Sequence, residues 1–356
     1  MESEFWRRES LRRRVRALIL AGRAKQRQIP SGEGNEQESD PTASYVMSDH
    51  DRQCLESLRA IDPELQKHDI QAAQGDLLKH SPRRFLEDPA VRQWKDSQKA
   101  HILWIRGDPG MGKTPLVCGI IDELKATMNN TNISFFFCQA LETRANNATA
   151  VLRGLTYMLV QKHPSLITHI GNSSFERENA WFALLRAFTD ILKDLRSTYL
   201  IIDALDECTK DLPRLLHLIQ KSSAYPHVKW IVSSRNHLSI MDDLDDTTKI
   251  ISIELKSDTP SADISSYIEQ KTDVLAKKNN YSPQLKDTVQ DYLMSNANKT
   301  FLWVAMTCKM LTSVPEPLVE KTLDGFAQSL EAIYAQILEQ IIESDDSELC
   351  KSILRI

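Results

Sequence analysis

The segment Gly107-Asp108-Pro109-Gly110-Met111-Gly112-Lys113-Thr114 constrains this chain more than any other. It satisfies G-x-x-x-x-G-K-[ST] at every position, follows the apolar run HILWIR and precedes a run with helical periodicity. Glycines let successive backbone N–H groups turn inward around phosphate, and the helix N-terminus adds its positive end. Lys113 supplies a mobile cation for β- and γ-phosphate oxygens, and the Thr114 hydroxyl is a ligand for Mg²⁺. The pattern calls for a nucleotide with its phosphate tail and Mg²⁺, and leaves ATP or GTP open.

Pro115 follows at once. A proline in the first helical turn is tolerated, because its N–H would lack an intrahelical partner anyway. The helix can start, but one donor is missing: in loops of this type the amide after the Ser/Thr faces the α-phosphate. A hydrogen bond to a charged group is worth roughly 1.5–3 kcal/mol, so the expectation is weaker nucleotide binding in an intact architecture.

The second constraint is STYLIIDALDEC, which delivers Asp203 at the end of an apolar strand with Asp206 and Glu207 just beyond. A carboxylate at such a tip can hold Mg²⁺, and a second acid can orient or deprotonate an attacking water. The strand ISFFFCQ lies between Lys113 and Asp203 in the chain. That spacing favours the branch in which another strand intervenes between the loop strand and the acidic one. VKWIVSSR then carries Arg235 out of the carboxyl edge of the sheet, where ligands bind in open α/β folds. Arg235 could sense a γ-phosphate, or be a strand-end charge that is simply solvated or salt-bridged.

Around these motifs the chain alternates. Apolar strands at HILWIR, ISFFFCQ, TYLIID, VKWIVSS and KIISIEL are separated by amphipathic helices, which predicts an α/β domain with a parallel sheet covered on both faces. Beyond residue 258 only helical patterns remain, so the fold class expected is α/β followed by an all-helical subdomain. Five segments result: a basic amphipathic helix over 1–28, a flexible linker over 29–49, a helical lead-in over 50–98, the α/β core over 99–257 and the helical subdomain over 258–356.

Composition narrows the function. The 356 residues carry a net charge of −5, but residues 1–28 hold nine Arg or Lys against three Glu, a net +6, which leaves −11 on the remainder. No nucleic-acid partner is expected of so acidic a body. The basic start suits an anionic membrane or a partner, or is a solvated helix, and its glutamates count against a mitochondrial presequence. Six scattered cysteines without a C-x-x-C pair argue against a disulfide framework or a zinc site, and for a reducing, cytoplasmic compartment. No apolar run approaches the roughly 18 residues of a membrane span.

Taken together the blocks resemble the NACHT NTPases of fungal NOD-like receptors, close to the nephrocystin-like N-terminal NTPase group. The resemblance runs from about Asp51 onward through DRQCLESLRAIDP, HILWIRGDPGMGKT, NNATAVLRGLTYMLV, STYLIIDALDEC, VKWIVSSR and SNANKTFLWVA. Its specific mark is the small residue Ala204 directly after Asp203, with acids at 206 and 207. It implies a three-layer P-loop NTPase of the ASCE/STAND type. In that family the domain is a switch, closed with ADP and opened by exchange for ATP to permit oligomerisation and signalling, often toward cell death in non-self recognition. By match of motif, residues 107–114 hold phosphate, Thr114 and Asp203 the metal, Glu207 or Asp206 the attacking water, and Arg235 the γ-phosphate, with slow hydrolysis.

Three departures qualify the resemblance. Pro115 replaces an aliphatic residue. The helix KTFLWVAMTC lacks a proline that related switches place against the base, so Phe301, Leu302 and Trp303 are expected in the core rather than on adenine. The sequence ends at CKSILRI, about where a winged helix would begin, with ligand-sensing repeats normally beyond it. An alternative function is thus an interaction protein, an adaptor or decoy for itself or for full-length NACHT relatives, in which nucleotide is dispensable.

Overall fold

The computed structural model describes residues 45–74, 81–171, 180–236, 249–255, 262–297 and 300–325, with isolated positions 240 and 335. The basic helix expected over 1–28, most of the linker and the helix expected over FAQSLEAIYAQILEQIIES lie outside them.

Five strands form one sheet: β1 (Ile102–Arg106), β2 (Asn132–Phe137), β3 (Thr198–Asp203), β4 (Val228–Ser234) and β5 (Ile250–Glu254). All pairings are parallel and the order is β2-β3-β4-β1-β5. The β2, β3 and β4 strands are buried at every residue, as continuous apolar runs require when helices cover both faces. Every expected strand is present. The strand that separates β1 from β3 is β4, whereas ISFFFCQ, between them in sequence, is the outer strand β2.

The covering helices are α5 (Lys113–Thr127), α6 (Ala148–Lys162), α7 (Ala180–Asp194) and α8 (Leu212–Ser222). The lead-in supplies α1 (Asp49–Leu58), α2 (Pro63–Gln74), α3 (Ser81–Glu87) and α4 (Pro89–Asp96). Ser48 and Asp51 close a capping box on α1, so Asp49, placed in the linker by composition, is already helical. Pro89 divides the RRFLEDPAVRQW pattern, because a proline starts a helix more readily than it continues one.

Buried polar contacts fasten the lead-in to the sheet. Gln66 donates from Nε2 to the Phe137 carbonyl at 2.8 Å, capping the end of β2, and Lys67 pairs with Asp122 of α5 at 2.6 Å. From β4, the Lys229 ammonium donates to the carbonyls of Trp94, Ser97 and Ala100 at 2.9, 2.6 and 2.9 Å. These carbonyls lie at and beyond the end of α4, where a helix leaves acceptors unpaired and favours a cation. Burial pushes the Lys229 pKa down.

After β5 come α9 (Ala262–Asn279), α10 (Pro283–Asn296), α11 (Phe301–Leu311) and α12 (Val319–Asp324). They enclose a second apolar core around Ile268, Val289, Leu293, Trp303 and Leu311, separate from the core of the sheet. The helical subdomain expected beyond residue 258 is therefore present through residue 325. Cys54, Cys118, Cys138, Cys208 and Cys308 are free thiols. Among the described residues no helix is long and apolar enough to cross a membrane.

Candidate functional site

The register of the three central strands brings the motifs to one edge. Ile105 of β1 lies opposite Ser233 of β4, and Val232 lies opposite Ile202 of β3. Asp203 therefore leaves the sheet beside Ser233, only two strands from the start of the phosphate loop. Adjacent strands lie about 4.8 Å apart, so the loop needs to reach over roughly 10 Å. It does so: the Thr114 side chain comes close enough to the Asp203 carboxylate to hold its pKa down.

The loop takes the shape that its glycines permit. Gly110 and Gly112 have φ of 81° and 78°, in the left-handed region. Gly112 is the N-cap of α5, and Lys113 and Thr114 are its first helical residues. Pro115 is the third. The next residue, Leu116, makes the first intrahelical bond, its N–H donating to the Gly112 carbonyl at 3.0 Å. Pro115 thus occupies the last position at which a helix has no use for an N–H, and α5 is undisturbed. Pro115→Met is expected to tighten nucleotide binding by about one to two orders of magnitude in calorimetry, by restoring one donor to phosphate. Unchanged affinity would mean that the missing amide is not what limits binding.

The Lys113 ammonium folds back onto its own loop, donating to the Gly107 carbonyl at 2.5 Å and the Asp108 carbonyl at 2.9 Å. Burial lowers its pKa, Asp206 and Asp203 work against that shift, and Arg235 works with it. The Asp203 side chain is buried, at 2% exposure for the residue. Desolvation raises its pKa, opposed by hydrogen bonds from Ser233 and Thr114 and by the charge of Lys113. A hydroxyl and a carboxylate so placed are hard oxygen donors that fit Mg²⁺, which completes its shell with phosphate oxygens and water. Among the described residues no group of three or more His, Cys, Asp or Glu could hold a metal on its own.

Ser233 organises the acidic end, a role that sequence reasoning missed. Its hydroxyl donates to Asp203 Oδ1 at 2.5 Å and accepts from the Ala204 N–H at 2.9 Å. Ala204 has a φ of 53°, and this left-handed residue turns the chain into the short 3₁₀ helix Leu205–Glu207. A larger or β-branched side chain is disfavoured in that conformation, which accounts for the small residue after Asp203. Two serines ending an otherwise apolar strand were the available signal for Ser233.

The turn sends Asp206 and Glu207 toward Arg235. Asp206 accepts from the Arg235 backbone N–H at 3.0 Å and lies 3.2 Å from its Nε, so both carboxylate oxygens are engaged. Glu207 accepts from the Ala140 N–H, just past β2, at 3.0 Å, and its other oxygen lies 3.8 Å from the Arg235 guanidinium. Asp203, Asp206, Glu207 and Arg235 thus gather at the edge that carries the phosphate loop, and Arg235 is salt-bridged to the two acids while its side chain stays 55% exposed.

Of the three hydrophobic residues at the start of α11, Trp303 is fully buried in the second core. Phe301 is only partly buried, and its ring stands where a Cβ on Gly112 would come within 3.0 Å of Cδ2. It also packs against Tyr267, with ring centroids 5.5 Å apart. The helical subdomain therefore touches the phosphate loop through Phe301, a contact the sequence did not disclose.

The family described as Nephrocystin 3, N-terminal, matches residues 80–235. The vegetative incompatibility protein HET-E-1 of Podospora anserina is 45% identical over 342 residues, covering 91% of this chain and 25% of that protein. The chain thus spans about a quarter of the length of this curated relative. Among solved structures, AMPPCP-bound DnaA from Aquifex aeolicus matches at 15% identity and a TM-score of 0.40, over 74% of this chain and 68% of that one. The Aeropyrum pernix ORC1 protein in complex with DNA matches at 12% identity and a TM-score of 0.45, over 75% and 68%.

Proposed function

We propose a function from one premise, that this chain is a NACHT/STAND-type P-loop nucleotide-binding protein related to HET-E-1, with a Nephrocystin 3, N-terminal, domain at residues 80–235. It binds ATP or ADP with Mg²⁺, hydrolyses ATP slowly and uses the exchange as a cytoplasmic signalling switch. The observation that carries this reading is the strand register, which brings Asp203 to the sheet edge that carries the phosphate loop, two strands from the start of that loop and within reach of Thr114.

The geometry supports the following roles. Backbone N–H groups of 107–114 and the Lys113 ammonium take the phosphates, with the ammonium exchanging the Gly107 and Asp108 carbonyls for phosphate oxygens. Thr114 and Asp203 hold the metal. Bound there, the metal would supply neutralisation of the phosphate charge. Asp206, with both oxygens engaged by Arg235, positions that arginine toward the γ-phosphate. Glu207 keeps acceptor capacity beside Arg235 and orients or deprotonates water. The relative's name places it in vegetative incompatibility, and we extend to this chain a part in fungal non-self recognition or programmed cell death.

Melting with and without Mg²⁺-ATP tests the reading. A ligand at a hundred times its Kd adds about 2.7 kcal/mol, which raises the melting temperature of a domain this size by several degrees. No rise at millimolar Mg²⁺-ATP would reject nucleotide binding and leave the adaptor or decoy reading.

A further inference from the structure

We infer that the chain carries a second ligand site, distinct from the nucleotide site, in a cleft between α7 and α8 that takes an aromatic anion. The cleft has a volume of about 580 Å³, within the range of small-molecule sites, which runs from about 300 to 1,000 Å³. Trp181 and Phe182 of α7 line it together with Tyr225, just past α8. Arg214, His217 and Lys221 stand along α8, three or four residues apart and so on one helical face. The described lining contains no carboxylate and no residue of the phosphate loop or of the strand tips.

Two features point to an anionic, flat ligand rather than to an unpartnered apolar face. Phe182 is 62% exposed, a large ring left uncovered, while the Arg214 guanidinium lies over it at 6.0 Å. A cation above an exposed ring offers a stacking surface and a charge at one end of the cleft. The second feature is charge. Asp211 lies 3.5 Å from Arg214, but His217 and Lys221 form no ion pair with a described residue. The cleft therefore presents the Arg214 and Lys221 charges over an apolar floor, and an aromatic carboxylate or sulfonate complements both.

The floor is fixed. Leu218 and Ser222 of α8 are buried, and the Ser222 hydroxyl accepts from Trp230 Nε1 of β4 at 3.0 Å. The cleft is thus floored by helices packed on a central strand.

The probe is 8-anilinonaphthalene-1-sulfonate, an aromatic anion whose fluorescence rises in apolar surroundings. Titrated against the whole chain, it is expected to bind at one site, to remain bound at saturating Mg²⁺-ATP and to bind Lys113→Ala unchanged. Lys221→Glu and Phe182→Ala, both at exposed positions, are each expected to weaken binding at least tenfold with the melting temperature kept within about 2 °C. Displacement by Mg²⁺-ATP, or equal binding by both cleft variants, would overturn the inference. Failure of nucleotide to shift the melting temperature bears on the proposed function alone and leaves this site standing.

Discussion

Lys113→Ala is expected to lose most of the nucleotide-dependent rise in melting temperature, with affinity down about thirtyfold or more. The loop holds phosphate with backbone donors and one ammonium, and removing a partly desolvated charge from such a pair costs about 2–5 kcal/mol. Lys113 donates to the Gly107 and Asp108 carbonyls, in a loop that is mostly half-buried and exposed only at Asp108 and Pro109. Losing those bonds is offset in part by release of the desolvation that lowers its pKa. The nucleotide-free melting temperature should therefore move by no more than a couple of degrees. A variant that still gains several degrees from Mg²⁺-ATP would show that the loop is not the grip.

What the sequence disclosed and what it hid have separate physical causes. Strands buried on both faces must be largely apolar, with the few polar side chains satisfied, so TYLIID and VKWIVSS could be read directly. Burial, however, does not record lateral position. The β2 strand is as buried as β3, yet it lies at the edge, sheltered by α6 and by Gln66 on its last carbonyl. Which strand parts β1 from β3 was therefore open until the pairing was seen.

The same division applies to the site. A phosphate loop needs its glycines and lysine at fixed spacing because one short backbone segment makes the whole cradle, so Gly107 through Thr114 could be read from one window. Ser233, Ala140 and Phe301 act across the fold, one through a hydroxyl, one through a backbone N–H and one through a ring edge. None of these needs a residue type rare enough to stand out. Pro115 was legible as a question, and its position as third helical residue answers the structural half of it.

The two acids after Asp203 looked interchangeable in sequence, and their surroundings separate them in the expected result of Glu207→Gln. Glutamine keeps the side-chain length and can still accept from the Ala140 N–H, so nucleotide affinity should stay within about threefold. It cannot take a proton from water, and loss of a positioned general base removes about 10²–10⁴ in rate. Single-turnover hydrolysis should therefore fall by that factor while binding persists. Asp206→Asn should act differently, because Asp206 is only 9% exposed at its side chain and both oxygens serve Arg235. Its amide nitrogen cannot accept from the guanidinium, so Arg235 loses its orientation and discrimination between ATP and ADP should shrink together with the rate. If Glu207→Gln hydrolyses ATP at the parental rate while Asp206→Asn alone is slow, the carboxylate that activates water is Asp206, and Arg235 must leave it before the chemistry can begin.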